Sequence, residues 1–422
     1  MFDAIAARGE AAAAVSDAGW LQALLDAEAA LARALARAEL VSDADADAIA
    51  AACRAERFDA EALGAAAAGS GNPVVPLVEA LTAAVEGPAA RHVHRGATSQ
   101  DILDTAAMLV ATRARAAIAV DLGAAASAAA TLARAHRDTP IAGRTLLQHA
   151  VPTTFGLKAA GWLAGLAEAR ASLAALVLRA QLGGAAGTLA SLGDTGPRVL
   201  AAFAEELGLA EPVLPWHTNR VGIGELAGAL AVACGAVAKV AQDVVLLSQT
   251  EVAEVREGEA GGSSTMPHKR NPVAAISALA CARQAPGLAA TLLGSMAHEH
   301  ERAAGAWHAE WRPLSALLTT TGSAAAWLRA CLERLEVDPA RMRANLDLTG
   351  GALMAERVAS SLAGERGRLE AHRAVEEVLQ RGGELRELLD DDQTRELLDP
   401  AGYLGAAGEF VDRALAAYDE GG

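Results

Sequence analysis

Gly262-Ser263-Ser264-Thr265-Met266-Pro267-His268-Lys269-Arg270-Asn271 lies between two long apolar segments. Glycines, hydroxyls, an ammonium and an amide crowd into one loop, and Pro272 then marks a helix start. A plain Gly/Ser connector has a similar composition, so the lysine carries the distinction. The chain holds 36 lysines and arginines, and only Lys158, Lys239 and Lys269 are lysines. An ammonium is a compact donor on a flexible stem, whereas a guanidinium is a rigid fork that stays charged. A lysine kept at 269 against that bias points to chemistry at the loop.

Working outward, about a quarter of the 422 residues are alanine and only 3% are aromatic. Alanine is the best helix former, and alternating strand patterns are scarce. The fold class predicted is all-α. Four proline-free stretches stand out, near Thr105–Asp138, Thr154–Gly183, Glu225–Glu257 and Leu314–Val337. A helix of ~30 residues runs about 45 Å and usually packs in a bundle. The division expected is an N-terminal helical domain over 1–103, a central long-helix bundle over 104–345, and a small, more charged C-terminal helical domain over 346–422.

A net charge of -16 argues against nucleic acid or an anionic membrane as a partner. Any anionic small substrate must then be won locally, by cations and helix ends in a pocket. The apolar run Leu226–Ala238 is cut by Lys239 and reads as too short to span a bilayer. Met1-Phe2-Asp3-Ala4 has no secretory pattern. Cys53, Cys234, Cys281 and Cys331 lie far apart, which predicts buried thiols in a reducing cytosol and no zinc site.

Three polar knots interrupt the alanine background: Arg91–Asp101, Gly143–Thr154 and Ser263–Pro272. Each is expected just before a long helix, where unpaired amides and the dipole favour carboxylates. Any one of them alone reads as ordinary N-capping. Together with His149 and Lys269 they read as one site for a ligand bearing several negative groups. No GxxxxGK[ST] is present, and Gly183-Gly184-Ala185-Ala186-Gly187 lacks the spacing of a dinucleotide loop. The pairs His92/His94 and His298/His300 do not face one another on a helix, so no metal is predicted.

The loop resembles the GSSxMPxKxN signature of the fumarase/aspartase/argininosuccinate lyase superfamily, matching it at every specified position. Gly96-Ala97-Thr98-Ser99-Gln100-Asp101, Asp104-Thr105 and Gln148–Gly156 with Lys158 support the likeness, which spans roughly residues 70–345. It implies a homotetramer with a twenty-helix core, active sites built from three subunits, and no cofactor. Within the superfamily, Gly71–Val78, Pro215-Trp216-His217-Thr218, His300-Glu301-Arg302 and Ala306–Trp311 look most like the bacterial 3-carboxy-cis,cis-muconate cycloisomerases. These act on a small tricarboxylate. Adenylosuccinate lyase or another fumarate-releasing C–N lyase is the alternative, but adenylosuccinate lyase usually carries His-Asp where this chain has Asn72-Pro73. Superfamily members also often have Arg-Asp where this chain has Arg220-Val221, which leaves a substrate role for Arg220 open.

The resemblance implies proton transfer by His149 or Ser263, with the choice open. It implies substrate binding by Thr98, Ser99, Gln148, Lys269, Asn271 and Arg302. Trp162 is expected either as an apolar wall or as ordinary bundle packing. The glycine-rich start of the Ser263 loop predicts closure over the substrate.

Overall fold

The computed structural model describes residues 2–258, 262, 266 and 269–421. Ser263, and the lid expected around it, lie outside the described residues. The chain separates into two compact units: residues 1–121, 170–235 and 280–326, and residues 122–169, 236–279 and 327–422.

In the first unit, α1 (Asp17–Arg37) opens on Ser16, whose Oγ accepts the N–H of Gly19 at 3.1 Å. Leucines at 21, 24, 25, 31 and 35 line its buried side, with alanines between them. The small residues allow α2 (Asp43–Ala52) and, after a long excursion of chain, α6 (Gly196–Leu207) to pack closely against it. Helix α3 (Val74–Ala84) begins where Asn72 Oδ1 accepts the N–H of Val74 at 3.0 Å and of Val75 at 3.3 Å.

Four long helices follow the expected stretches: α4 (Ser99–Ala135), α5 (Phe155–Ala174), α7 (Val221–Leu247) and α10 (Ala306–Leu332). Between the last two lie α8 (Val273–Ala282) and α9 (Ala285–Gly294). Two sequence expectations are corrected here. Helix α10 begins before Pro313 rather than after it, because burial of Trp307 and Glu310 in its first turns favours continuing the helix across the missing N–H. The apolar run Leu226–Ala238 reads as too short to span a bilayer, but the helix that carries it is 27 residues long and runs through Lys239. Lys239 pairs with Asp243 one turn on, so the ammonium is accommodated and α7 continues to Leu247. By length and composition alone, Ser99–Ala135, Val221–Leu247 and Val273–Gly294 are apolar enough to cross a membrane, although half of the α7 window is already buried inside the protein.

The second unit departs from a purely helical reading at the second polar knot. Pro140–Thr145 (β1) and Gln148–Thr154 (β2) form an antiparallel hairpin with Arg144 opposite His149. Its β-branched residues, Ile141, Thr145, Val151, Thr153 and Thr154, suit a pleated surface. The tip, Leu146-Leu147, has φ of +49° and +65°, where asparagine and glycine are usual. A second short pair joins Val255–Glu257 (β3) to Leu335–Val337 (β4). Helices α11 (Pro339–Leu346), α12 (Ala355–Arg366), α13 (Arg368–Gln380) and α14 (Ala407–Gly421) close the chain. Leu346, Leu353, Met354, Val358, Leu362, Ala371 and Val375 form a local core that Ala142 of β1 joins. The fold class read from the sequence is borne out, with two small sheets added.

Candidate active site

The amino end of α4 organises the first unit. Asp101 is fully buried and accepts four hydrogen bonds: from the N–H groups of Thr98 (2.9 Å), Gly183 (2.8 Å) and Gly184 (2.9 Å), and from His217 Nε2 (2.6 Å). It thereby fixes the start of the helix against the glycine-rich 183–184 turn. Thr98 and Ser99 are half-buried there, and their hydroxyls make no hydrogen bond among the described residues. The preceding turn is tight. Gly96 has φ +84°, and a Cβ on it would lie 2.6 Å from the side chain of Leu192. His94, at φ +58°, is held by a 2.6 Å contact between its Nδ1 and Glu28 Oε1 on α1. Burial of the ring opposes its charge, but the hydrogen bond and charge of Glu28, with Asp101 behind it, outweigh that and raise its proton affinity.

One turn further, Asp104, Arg220 and Glu310 form a buried ionic cluster. Arg220 Nη1 and Nη2 reach the two oxygens of Asp104 at 2.8 and 3.1 Å, while its Nε and Nη2 reach Glu310 at 3.1 and 2.5 Å. Burial disfavours the guanidinium charge, yet the two carboxylates more than restore it. Trp307 Nε1 adds a hydrogen bond to Asp104 at 3.0 Å. Arg220 is 2% exposed and is held by two ion pairs inside the first unit. Gln100 joins this cluster to Arg302, whose Nη1 donates to Gln100 Oε1 at 2.8 Å.

In the second unit, the hairpin displays the next group of predicted residues. Gln148 is exposed and His149 half-buried on β2. Arg144, opposite His149, grips Glu254 with two hydrogen bonds of 2.9 and 2.8 Å, and Asn345 Nδ2 holds the same carboxylate at 2.8 Å. Burial, then the positive charge of Arg144, lowers the proton affinity of His149 below the ordinary imidazole value. Its Nδ1 is buried without a hydrogen-bond partner among the described residues.

Just beyond Glu254, Glu257 on β3 accepts the N–H groups of Ala274 (3.0 Å) and Ala275 (2.7 Å), capping α8. The two flanks of the signature loop are thus fastened by one carboxylate. Lys269 is exposed, and Asn271 lines a cavity of about 400 Å³ together with Arg256, Glu257 and Arg270. Trp162 is 2% exposed, packs edge-on to Phe155 at 5.6 Å and donates to Asp243 at 2.8 Å. Lys158, on the same helix, is held below the usual lysine range by burial, against the pull of Asp243.

Thr98, Ser99 and Arg302 therefore gather around Gln100 in one unit. Gln148, His149, Lys269, Asn271 and Trp162 lie in the other, and Ser263 is outside the described residues. The sequence reading quoted Asp101 and Asp104 only as motif residues and missed Glu28, Glu254, Glu257 and Glu310, buried carboxylates that fasten the surrounding elements. The available signal was a lone acid inside an otherwise apolar helical run, as in Gln100-Asp101-Ile102-Leu103-Asp104.

The chain belongs to the lyase family, whose model matches residues 6–287, so the superfamily resemblance is borne out and the protein is an enzyme of that group. A 3-carboxy-cis,cis-muconate cycloisomerase of Bradyrhizobium diazoefficiens is 48% identical, with 96% of this chain and 94% of that one covered. A nitrosuccinate lyase of Streptomyces davaonensis is 49% identical, with coverages of 96% and 92%. The crystal structure of a 3-carboxy-cis,cis-muconate lactonizing enzyme from Pseudomonas putida superposes with a TM-score of 0.94 at 43% identity, covering 100% of this chain and 99% of that one.

Proposed function

We propose that this enzyme converts 3-carboxy-cis,cis-muconate to 4-carboxymuconolactone in the breakdown of aromatic compounds. The observation that carries the reading is full-length likeness, in sequence and backbone, to enzymes named for that substrate. A local feature agrees with it. Where adenylosuccinate lyase usually carries a histidine, Asn72 uses its side-chain oxygen to start α3 and offers no titratable group.

The reaction is internal to the substrate. A carboxylate oxygen forms a bond to an alkene carbon, the π pair moves to the neighbouring carbon and its carboxylate, and one proton completes the lactone. Nothing leaves and no redox partner is needed. The enzyme must fold the substrate back on itself, stabilise the growing negative charge and deliver the proton. Thr98 and Ser99 hold one carboxylate at the amino end of α4, and Arg302 holds a second. Lys269 and Asn271 receive the carboxylate on which charge grows, with Gln148 beside them and Trp162 as an apolar backing. We assign the proton to His149 in preference to Ser263. Burial and Arg144 lower its proton affinity in the free protein, and an arriving tricarboxylate would raise it.

A single ultraviolet assay tests the reading, following loss of the diene absorbance in the presence of purified protein. Lys269→Ala should lower kcat by roughly 100-fold, the usual effect of removing one donor to developing charge. Unchanged turnover would remove Lys269 from the site. The nitrosuccinate lyase relative supports a second reading, an elimination from nitrosuccinate, and the same preparation offered that compound distinguishes the two.

We further infer a cytosolic homotetramer whose active sites combine residues of several subunits. Supporting this, α7 leaves Val221 and Val232 exposed, α4 leaves Val120 exposed, and the hairpin tip presents Leu146 and Leu147 at 97% and 72% exposure. Isolated apolar surface of this extent on long alanine-rich helices suits a bundle formed with other copies of the chain.

A further inference from the structure

Arg302, like Arg115, Arg341 and Arg357, is anchored by neutral oxygens, but among these its first acceptor is a buried side-chain amide beside Ser99. Arg37, Arg134, Arg144 and Arg220 each face a carboxylate. Arg302 is held by neutral oxygens: Gln100 Oε1 at 2.8 Å, the carbonyl of Ala185 at 2.9 Å and that of Gly184 at 3.3 Å. Its guanidinium is therefore fixed in direction while its charge is not met by an ion pair among the described residues. Neutral acceptors align the fork, and the attraction for an incoming anion is retained.

The key acceptor is itself locked. Gln100 is 1% exposed, and its Nε2 donates to Asp104 Oδ2 at 3.1 Å and to the carbonyl of His217 at 2.9 Å. Rotating the amide by half a turn would set its oxygen against a carboxylate and a carbonyl, and its NH2 against the guanidinium. The surroundings therefore permit one orientation, with Oε1 towards Arg302. Asp104 is in turn immobilised by Arg220 and Trp307, and Arg220 by Glu310. A rigid buried ionic cluster thus ends in a single neutral amide that meets Arg302.

We propose that Gln100 is a positioning residue that aims Arg302 at a substrate carboxylate, and that its neutrality keeps the guanidinium charge available for that carboxylate. Glutamate at this position would fit the same space. It would also pair with Arg302 and repel Asp104, closing the anion site. The proposal rests on the reading of Arg302 as a carboxylate ligand, and it ties selectivity for a third carboxylate to an interior amide one residue from Ser99.

The test is a set of four full-length proteins, Gln100→Met, Gln100→Glu, Arg302→Ala and Gln100→Met/Arg302→Ala. Each is assayed with the tricarboxylate and with cis,cis-muconate, which lacks the third carboxylate. Gln100→Met should raise KM for the tricarboxylate about tenfold, the scale of one hydrogen bond to a charged group, with kcat within about threefold. Gln100→Glu should raise it further. Neither should alter KM for the dicarboxylate, and the double variant should be no worse than Arg302→Ala alone. If Gln100→Met does not fold, Gln100→Glu, which preserves shape, supplies the same comparison. An Arg302→Ala defect accompanied by unchanged tricarboxylate KM in both Gln100 variants, or by effects that add in full, overturns the positioning role and leaves Arg302 as a ligand. Unchanged kinetics in Arg302→Ala removes Arg302 from the site and the proposal with it.

Discussion

His149 and His94 show how two imidazoles on one chain acquire opposite character. Burial and Arg144 push His149 towards the neutral form, whereas Glu28 draws His94 towards the charged one. The sign for catalysis follows. A donor whose proton affinity is lowered gains its acidic form only as pH falls, so kcat/KM for lactonisation should rise as pH drops from about 7.5 through the depressed value below 6.5. His149→Ala should be slow and should lose that slope. A flat wild-type profile over this range would instead place the proton on another group. At this scale the sequence singled out candidate ligand-facing residues and left their supports unread. His149 and Lys269 are conspicuous against alanine, but nothing near Arg220 in sequence reveals that Asp104 and Glu310 converge on it from helices that are distant along the chain.

Among the elements, the long helices were legible and the second knot was not. Helix periodicity accumulates over ~30 residues, while the hairpin holding Gln148 and His149 has strands of 6 and 7 residues and a leucine pair at its tip where turn chemistry would lead one to expect asparagine and glycine. The fastening of the signature loop was equally hidden, because Glu257 caps a helix that starts sixteen residues later in the chain. Removing that cap should be felt on both sides of the loop. Glu257→Ala should lose about 2 kcal/mol in urea unfolding, since the buried N–H of Ala275 and the partly buried N–H of Ala274 would lose their acceptor, and its KM should rise through displacement of Asn271. Unchanged stability would show that water replaces the carboxylate at no cost.

For the whole molecule, alanine content pointed to a helical bundle, and the polar knots, against a net charge of -16, to a small anionic ligand. They could not show how much apolar surface one chain leaves uncovered, because that depends on which helix faces meet. A homotetramer predicts that Leu146→Asp/Leu147→Asp dissociates in size-exclusion chromatography with light scattering and that its melting temperature becomes concentration-dependent. A wild-type monomer at micromolar concentration would refute the assembly. Substrate identity is also decided at this scale, because relatives named for a cycloisomerase and for a nitrosuccinate lyase match the chain at 48% and 49% identity. Parallel steady-state assays of the purified wild-type enzyme on 3-carboxy-cis,cis-muconate and on nitrosuccinate decide between them. A cycloisomerase should show a kcat/KM for the muconate in the ordinary enzymatic range, above about 10⁴ M⁻¹s⁻¹, and at least about 100-fold above that for nitrosuccinate. Efficient turnover of nitrosuccinate with no loss of diene absorbance would contradict the cycloisomerase reading.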